Sequence, residues 1–404
     1  MFNGCEGNFF VTAKPIVGCL SAIFARMHFF TLIKQHWQLI IFICFCSITA
    51  VLFFYYSFYF ARLAFYKKKP SLSSQTNPVS VVVCARDEAE NLANNLSGIL
   101  LQEYKTTHEV IVVNDNSYDD SEYLLEALRK EYKQMNVVHL TQEAKMIQGK
   151  KFPLSVGIKT AKHEILLLTD ADCVPATEHW IDSMQAAYRP ETEIVLGYGK
   201  YKKRKGTLNK LIRWETFHTA MQYLSYALAG QAYMGVGRNL SYKRAVFIRH
   251  KGFSAHSNIP GGDDDLFINM AAKKNNVGIN IDPKSFTLSK PAETWESWRK
   301  QKNRHYTTSK YYKGGHKFLL GFYALSQLLF YPFALVAAIF YDWRIAGAVI
   351  AAKLIWQGIV FYKIMDKLEE KDLFPFYILY DMWMGFYYLR FSLALFKKPG
   401  DHWK

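Results

Sequence analysis

The stretch Ile165-Leu-Leu-Leu-Thr-Asp-Ala-Asp172 decides how the rest of this chain is read. Four consecutive apolar residues, Ile165 to Leu168, are expected in a strand buried on both faces, the habit of parallel sheets. The strand runs directly into Asp170 and Asp172, two carboxylates one residue apart. Open α/β sheets bind ligands at the carboxyl ends of their strands, so paired acids here would face a ligand. Two hard oxygen donors so close together suit Mg2+ or Mn2+, which keep waters and complete their shells with phosphate oxygens. An Asp-x-Asp triplet also occurs in solvated turns, so its surroundings must decide.

Upstream, apolar strands and helical patterns alternate. Val79 to Cys84 reads as a strand, followed by Ala85-Arg86-Asp87-Glu88 and a helix carrying Leu92, Leu96 and Ile99. Val110 to Val113 is the next strand and ends in Asn114-Asp115-Asn116-Ser117; Ser121 to Tyr132 is helical. Val137 to Leu140 is a short strand, and Phe152 to Ala161 a helix leading into the opening stretch. Strands and helices joined by short links predict an α/β domain on a mostly parallel sheet with right-handed crossovers.

The chain has 404 residues, half of them hydrophobic and 16% aromatic, with a formal net charge of +16. That balance points to lipid headgroups or nucleotide phosphates as partners. Nucleic acid is not expected, because neither zinc-ligand spacing nor an aromatic RNA-binding signature accompanies the charge. The six cysteines (5, 19, 44, 46, 84, 173) show no disulfide or metal spacing and read as free thiols.

From Trp37 to about Phe65 the chain is apolar for longer than the ~20 residues that a bilayer requires. Lys67, Lys68 and Lys69 follow and predict a cytosolic flank. Residues 1–36 form an ill-defined leader, with Met27 a second possible start. Residues 67–78 read as a linker, 79–317 as the cytosolic domain, and 318–398 as a membrane region of two or three helices. Residues 207–234 read as one or two amphipathic helices against the membrane or over the site, with a plain core helix as the alternative. Lys353, Asp381 and Arg390 are charges inside apolar segments and therefore functional candidates. Three C-terminal crossings would leave Lys397, Lys398 and Lys404 outside. The last segment is therefore expected to be re-entrant or interfacial.

Further acids and cations gather around the same sheet edge. Asp87 and Asp115 follow the first two strands, where carboxylates accept hydrogen bonds from a base edge or ribose, although either could cap a helix. Lys150 precedes a helix within reach of a diphosphate. Gly261-Gly262-Asp263-Asp264-Asp265 crowds three acids, one of which could act as a general base, the alternative being an acidic turn. Gln301 and Arg304 could grip phosphate or sugar.

Taken together, VVVCARDEAENL (81–92), VVNDNS (112–117), GKKFPLSVGIKTA (149–161), TDAD (169–172), GVGRNLSYKR (235–244), GGDDDLF (261–267) and QKNRH (301–305) resemble the membrane-bound family 2 glycosyltransferases. That group includes hyaluronan, chitin, cellulose and poly-N-acetylglucosamine synthases and ceramide glucosyltransferase. The resemblance covers about 78–312 and implies a GT-A fold, Rossmann-like, flanked by transmembrane helices, in a bacterial inner membrane with the catalytic domain facing the cytosol. It implies that Ala85, Asp87 and Asp115 contact the nucleotide of a UDP-sugar and that Lys150 lies near the base or diphosphate. Asp170 and Asp172 would hold the metal, Asp170 also touching the donor, and Gln301 and Arg304 would meet diphosphate and acceptor. The base would be Asp263, with Asp264 the alternative.

Two departures stand out. Gly262 replaces the Glu or Asp that many relatives carry before the base, and His305 replaces the Trp of processive synthases. The implied reaction is inverting transfer to a lipid-linked acceptor, or secondarily to a glycan. A silent nucleotide-sugar-binding subunit should have lost its acids, and a nucleotidyltransferase should have a glycine-rich loop where Ala85-Arg86-Asp87 stands.

Overall fold

A computed structural model describes residues 36–67, 77–141 and 149–393. The leader, most of the linker, and the lysines at 68, 69, 397, 398 and 404 lie outside the described residues.

The helices are α1 (His36–Ala64), α2 (Ala89–Leu100), α3 (Ser121–Glu131), α4 (Lys151–Thr160), α5 (Trp180–Gln185) and α6 (Thr207–Leu228). They continue with α7 (Arg244–Arg249), α8 (Asp265–Ala271), α9 (Trp295–Ser309), α10 (Gly314–Phe340), α11 (Trp343–Lys367) and α12 (Tyr377–Ser392). The strands are β1 (Val79–Ala85), β2 (His108–Asp115), β3 (Met135–Leu140), β4 (Ile165–Asp170) and β5 (Cys173–Pro175). After them come β6 (Ile194–Leu196), β7 (Gly199–Tyr201), β8 (Leu240–Lys243), β9 (Val277–Ile279) and β10 (Thr287–Ser289).

Seven strands pair in the order β3-β2-β1-β4-β8-β6-β9, and β5-β10-β7 form a small second sheet. The β3-β2-β1-β4 half is parallel, as the alternating pattern predicts. The other half is mixed, because β8 runs antiparallel to both β4 and β6. Strand alternation assigns each face of the parallel half its own core. Val82, Leu166 and Leu168 join one cluster, whereas Val81, Val83 and Leu167 meet Leu92, Leu96 and Trp180 in another. Gly157 lets α4 lie close on β1, since a Cβ there would sit 2.6 Å from Val82 Cγ1.

Among the described residues, three helices are long and apolar enough to cross a membrane: α1, α10 and α11, of 29, 27 and 25 residues. The final segment is instead a 3-10 turn (Lys371–Phe376) followed by α12, whose 16 residues fall short of a full crossing. Two of the three intramembrane charges meet each other. Lys353 Nζ lies 3.0 Å from Asp381 Oδ2, both side chains fully buried, and Asp381 also accepts from Tyr331 and Gln357. Arg390 is exposed.

Of the two expectations for 207–234, amphipathic helices and a plain core helix, the fold takes the second. The segment forms the single helix α6, which buries 17 of its 22 residues, and the chain then leaves helix near Gly230. A helix with apolar residues on every face is stable only when surrounded. Here Trp214 packs on Phe361 and Tyr380, and Tyr226 on Tyr59, so α6 is a shared core between the sheet and the membrane helices. At its inner end Arg213 pairs with Glu370 and Asp372 of the loop between α11 and α12.

Candidate active site

Parallel pairing brings the ends of β1, β2 and β4 to one edge: Cys84 is in register with Asp170, and Ala85 with Asn114. Asp115 and Asp170 are the last residues of their strands. From the other side comes the loop before α8, which carries Asp263. Lys150, at the N-terminus of α4, ties the two sides together: its ammonium pairs closely with Asp170 and lies 3.9 Å from Asp263 Oδ2. Burial works against this cation, yet Asp170 and Asp263 hold its pKa well above the ordinary lysine range. The Cys84 thiol, pushed up to about 12 chiefly by burial, also senses Asp263, Asp170 and Asp115 together. The acids therefore converge on one rim.

The paired acids respond differently to burial. Lys150, Arg238 and Arg304 outweigh it and hold the Asp170 carboxyl below its usual range. Burial and the neighbouring Asp170 push Asp172 up. Ligand atoms of Asp170, Asp172 and Cys173 lie within 4.8 Å of one another. The Cys173 thiol, driven well up by burial, donates to Asp172 Oδ1 at 3.3 Å. Two carboxylates this close, one of them held ionised by neighbouring cations, fit a divalent cation, with Cys173 supporting Asp172 as a neutral neighbour.

The three acids of the glycine-rich loop have separate tasks. Asp264 caps α8, accepting from Asp265 N and Gly237 N at 2.7 Å each. Burial, then Asp263 and Asp265, push its carboxyl up to about 8. Asp265 accepts from Thr308 Oγ1 at 2.5 Å and Tyr312 OH at 2.8 Å. Asp263 faces Lys150 and the cavity. Gly262 has φ +80°, and a Cβ there would sit 2.5 Å from Leu266 Cδ1. An acidic side chain at this place would have no room beside Leu266.

A cavity of about 990 Å³ opens from this cluster. Its wall includes Lys150, Asp170, Asp172, Asp263, Asp264 and Arg304, and it continues along α10 past Leu320 to Leu328. Ala85, Asp87, Asp115 and Gln301 are outside the wall formed by the described residues. Asp87 has φ +53° and accepts from Tyr118 N at 2.8 Å, which ties the ends of β1 and β2 together. Asp115 is fully buried at the same edge. Gln301 Nε2 donates to Tyr201 OH at 3.3 Å. His305 lines the cavity, where burial and then Lys302 and Arg304 hold its ring well below the usual histidine pKa.

The family described as "Glycosyltransferase like family 2" matches residues 77–308, more than half of the chain and every acid and cation of the cluster just described. The chain belongs to glycosyltransferase family 2. Among curated relatives, the poly-β-1,6-N-acetyl-D-glucosamine synthase of Staphylococcus aureus (strain COL) is 26% identical over 38% of this chain and 37% of its own length. The probable glycosyltransferase YdaM of Bacillus subtilis (strain 168) is 24% identical over 69% of this chain and 67% of its own. This glycosyltransferase thus spans little more than a third of the synthase that it matches. A mannosyltransferase, PcManGT from Pyrobaculum calidifontis, solved in complex with GDP-Man and Mn2+, shares the fold. It has a TM-score of 0.52 and 18% identity, and the likeness covers 86% of this chain and 99% of that one.

Two residues of this glycosyltransferase's site had no role in the sequence reading. Arg238, inside the GVGR motif, stacks its guanidinium 4.3 Å from the Tyr201 ring and donates to Ser289 Oγ at 3.2 Å. Thr169 and Thr287 donate to its carbonyl and fix it beside the acid pair. Lys151 is fully buried and donates to the carbonyls of His256 and Ile259, in the loop that leads to Asp263. Burial pushes its ammonium down to about 8. The Lys150-Lys151 pair was visible in the sequence, but not which lysine faces the cavity and which the loop.

Proposed function

We propose that the protein moves a sugar from a nucleotide-sugar, a UDP-sugar first, to a hydroxyl of a lipid-linked acceptor at the cytosolic face of a bacterial inner membrane. The observation that carries this reading is the Lys150 bridge between Asp170 and Asp263, at the foot of a cavity that runs on along α10. The nucleoside would sit at the ends of β1 and β2 beside the cavity, where Asp87 and Asp115 lie. Asp263 takes the proton of the acceptor hydroxyl, whose oxygen bonds to the anomeric carbon while that carbon's bond to the diphosphate oxygen breaks. The displacement inverts the centre, passing through an oxocarbenium-like state. Lys150 and Arg304 offset the charge left on the diphosphate. A divalent cation, Mg2+ or Mn2+, would be held by Asp170 and Asp172 and would supply Lewis-acid stabilisation of that leaving group.

Membrane association follows from α1, α10 and α11. The cytosolic orientation is our inference from the lysine run after α1 and the nucleotide-sugar donor. A growing glycan is the second acceptor, because relatives include polysaccharide synthases. The test is UDP or GDP release by membranes containing the protein, across a panel of UDP-sugars and GDP-mannose, with Mg2+ or Mn2+. Asp170→Asn and Asp263→Asn are the controls. Release by none of the donors, or release undiminished from wild type in both variants, would overturn the assignment.

A further inference from the structure

The cavity's second arm bears on the acceptor. Along α10 its wall is Lys317, Leu320, Gly321, Ala324, Leu325 and Leu328, with Leu389 from α12. The α10 positions recur at three- and four-residue steps, so one stripe of the helix faces the cavity over about 16 Å. Gly321 leaves that stripe open, since a Cβ there would have nothing within 4 Å. Leu325 and Leu389 line the cavity and are still 51% and 55% exposed. They mark a lateral seam between α10 and α12.

At the near end of the stripe stand two cations. Lys310 and Lys317 both line the cavity, and Lys317 Nζ lies 3.4 Å from the carbonyl of Lys310. Among the acids of the cavity wall, Glu215 stands on α6 and Asp263 to Asp265 stand ahead of or at the start of α8, and the chain itself has no Asp or Glu between residues 297 and 341. A lipid tail that moves from the bilayer into an apolar slot gains little, because lipid is as apolar as leucine. Discrimination among lipids must therefore come from the headgroup, and ammonium groups at the edge of a low-dielectric slot select an anion.

We infer that the arm takes the hydrocarbon tail of the acceptor and that Lys310 and Lys317 bind a phosphate linking this tail to the hydroxyl-bearing head. The acceptor is then an anionic phosphate-bearing lipid, either a glycerophospholipid or a lipid-diphosphate-linked sugar. This rests on the transferase reading above and adds the acceptor's charge to it.

The test uses the full chain in nanodiscs of neutral lipid, with the active donor. The acceptors are phosphatidylglycerol, a lipid-diphosphate-linked sugar, diacylglycerol of matched tails, and a soluble oligosaccharide. At least one phosphate-bearing lipid should exceed diacylglycerol in kcat/KM by roughly tenfold or more. Lys310→Gln with Lys317→Gln should shrink that ratio towards one by raising the acceptor KM. Gly321→Phe, which fills open space rather than displacing a neighbour, should raise the KM of long-tailed acceptors more than that of short-chain analogues. Diacylglycerol or the oligosaccharide doing as well as the phospholipids would overturn the inference while leaving the transferase intact. So would a double variant in which the donor KM rises instead. Absence of nucleotide release with every donor and acceptor would defeat the transferase reading itself.

Discussion

Replacing Asp263 by asparagine separates catalysis from architecture in the acidic loop. The amide matches the carboxylate in shape but cannot take a proton. A positioned general base contributes ~10²–10⁴ in rate, or about 2.7–5.4 kcal/mol of barrier. Asp263 does not cap α8, so Asp263→Asn should lower kcat by that factor with little change in Tm. Asp264 provides the contrast. Its oxygens already accept Gly237 N and Asp265 N, and its carboxyl, pushed up to about 8, carries a proton in most molecules at neutral pH. Asp264→Asn therefore changes little charge and loses one acceptor at a helix cap, a stability cost of about 0.5–2 kcal/mol. Initial-rate nucleotide release and thermal unfolding in detergent, measured on both variants, decide the matter. An Asp263→Asn enzyme within about threefold of wild-type kcat, or a larger kcat loss in Asp264→Asn, would refute the assignment of the base.

Asp170→Asn and Asp172→Asn should each remove stimulation by Mn2+ and weaken its binding, which electron paramagnetic resonance of free Mn2+ reads without turnover. Lys353→Met leaves Asp381 buried without its cation and should cost about 3–5 kcal/mol. The Lys353→Met/Asp381→Leu pair should recover much of this in thermal unfolding, whereas additive losses would show that the two groups do not act as a pair. His218 sits between Tyr323 and Tyr388, and burial pushes it down to about 4. Between about pH 6.5 and 4 the unfolded chain binds this proton and the folded chain does not, so stability falls on acidification by up to about 3 kcal/mol. His256, also pushed down to about 4 by burial, acts in the same direction. Unfolding measured across that window, with His218→Gln as reference, should show the slope diminish in the variant.

Much of the site was legible because its chemistry is local. Asp170 and Asp172 are neighbours at a strand end, Asp87 and Asp115 follow two apolar runs, and the glycines precede Asp263. Other features needed the fold. Nothing in GKK tells which lysine turns inward, because adjacent helix-start residues point in different directions and only packing selects between them. Arg238 gained its place from Tyr201 and Ser289, residues on separate elements of the small sheet. Sequence leaves 207–234 open between a core helix and a membrane-surface helix, because a helix that is apolar all round and one that lies on a membrane have similar compositions. The difference lies in what surrounds them.

The order of residues alone determined the α/β alternation, the parallel strands, the apolar spans and the inventory of acids and cations, all of which follow from short-range periodicity and residue type. Tertiary structure decided which acid of three faces Lys150, how Lys353 meets Asp381, and that the cavity continues from the strand ends along α10. Those outcomes depend on long-range packing and on competition among partners for buried polar groups, and no local pattern in the chain encodes them.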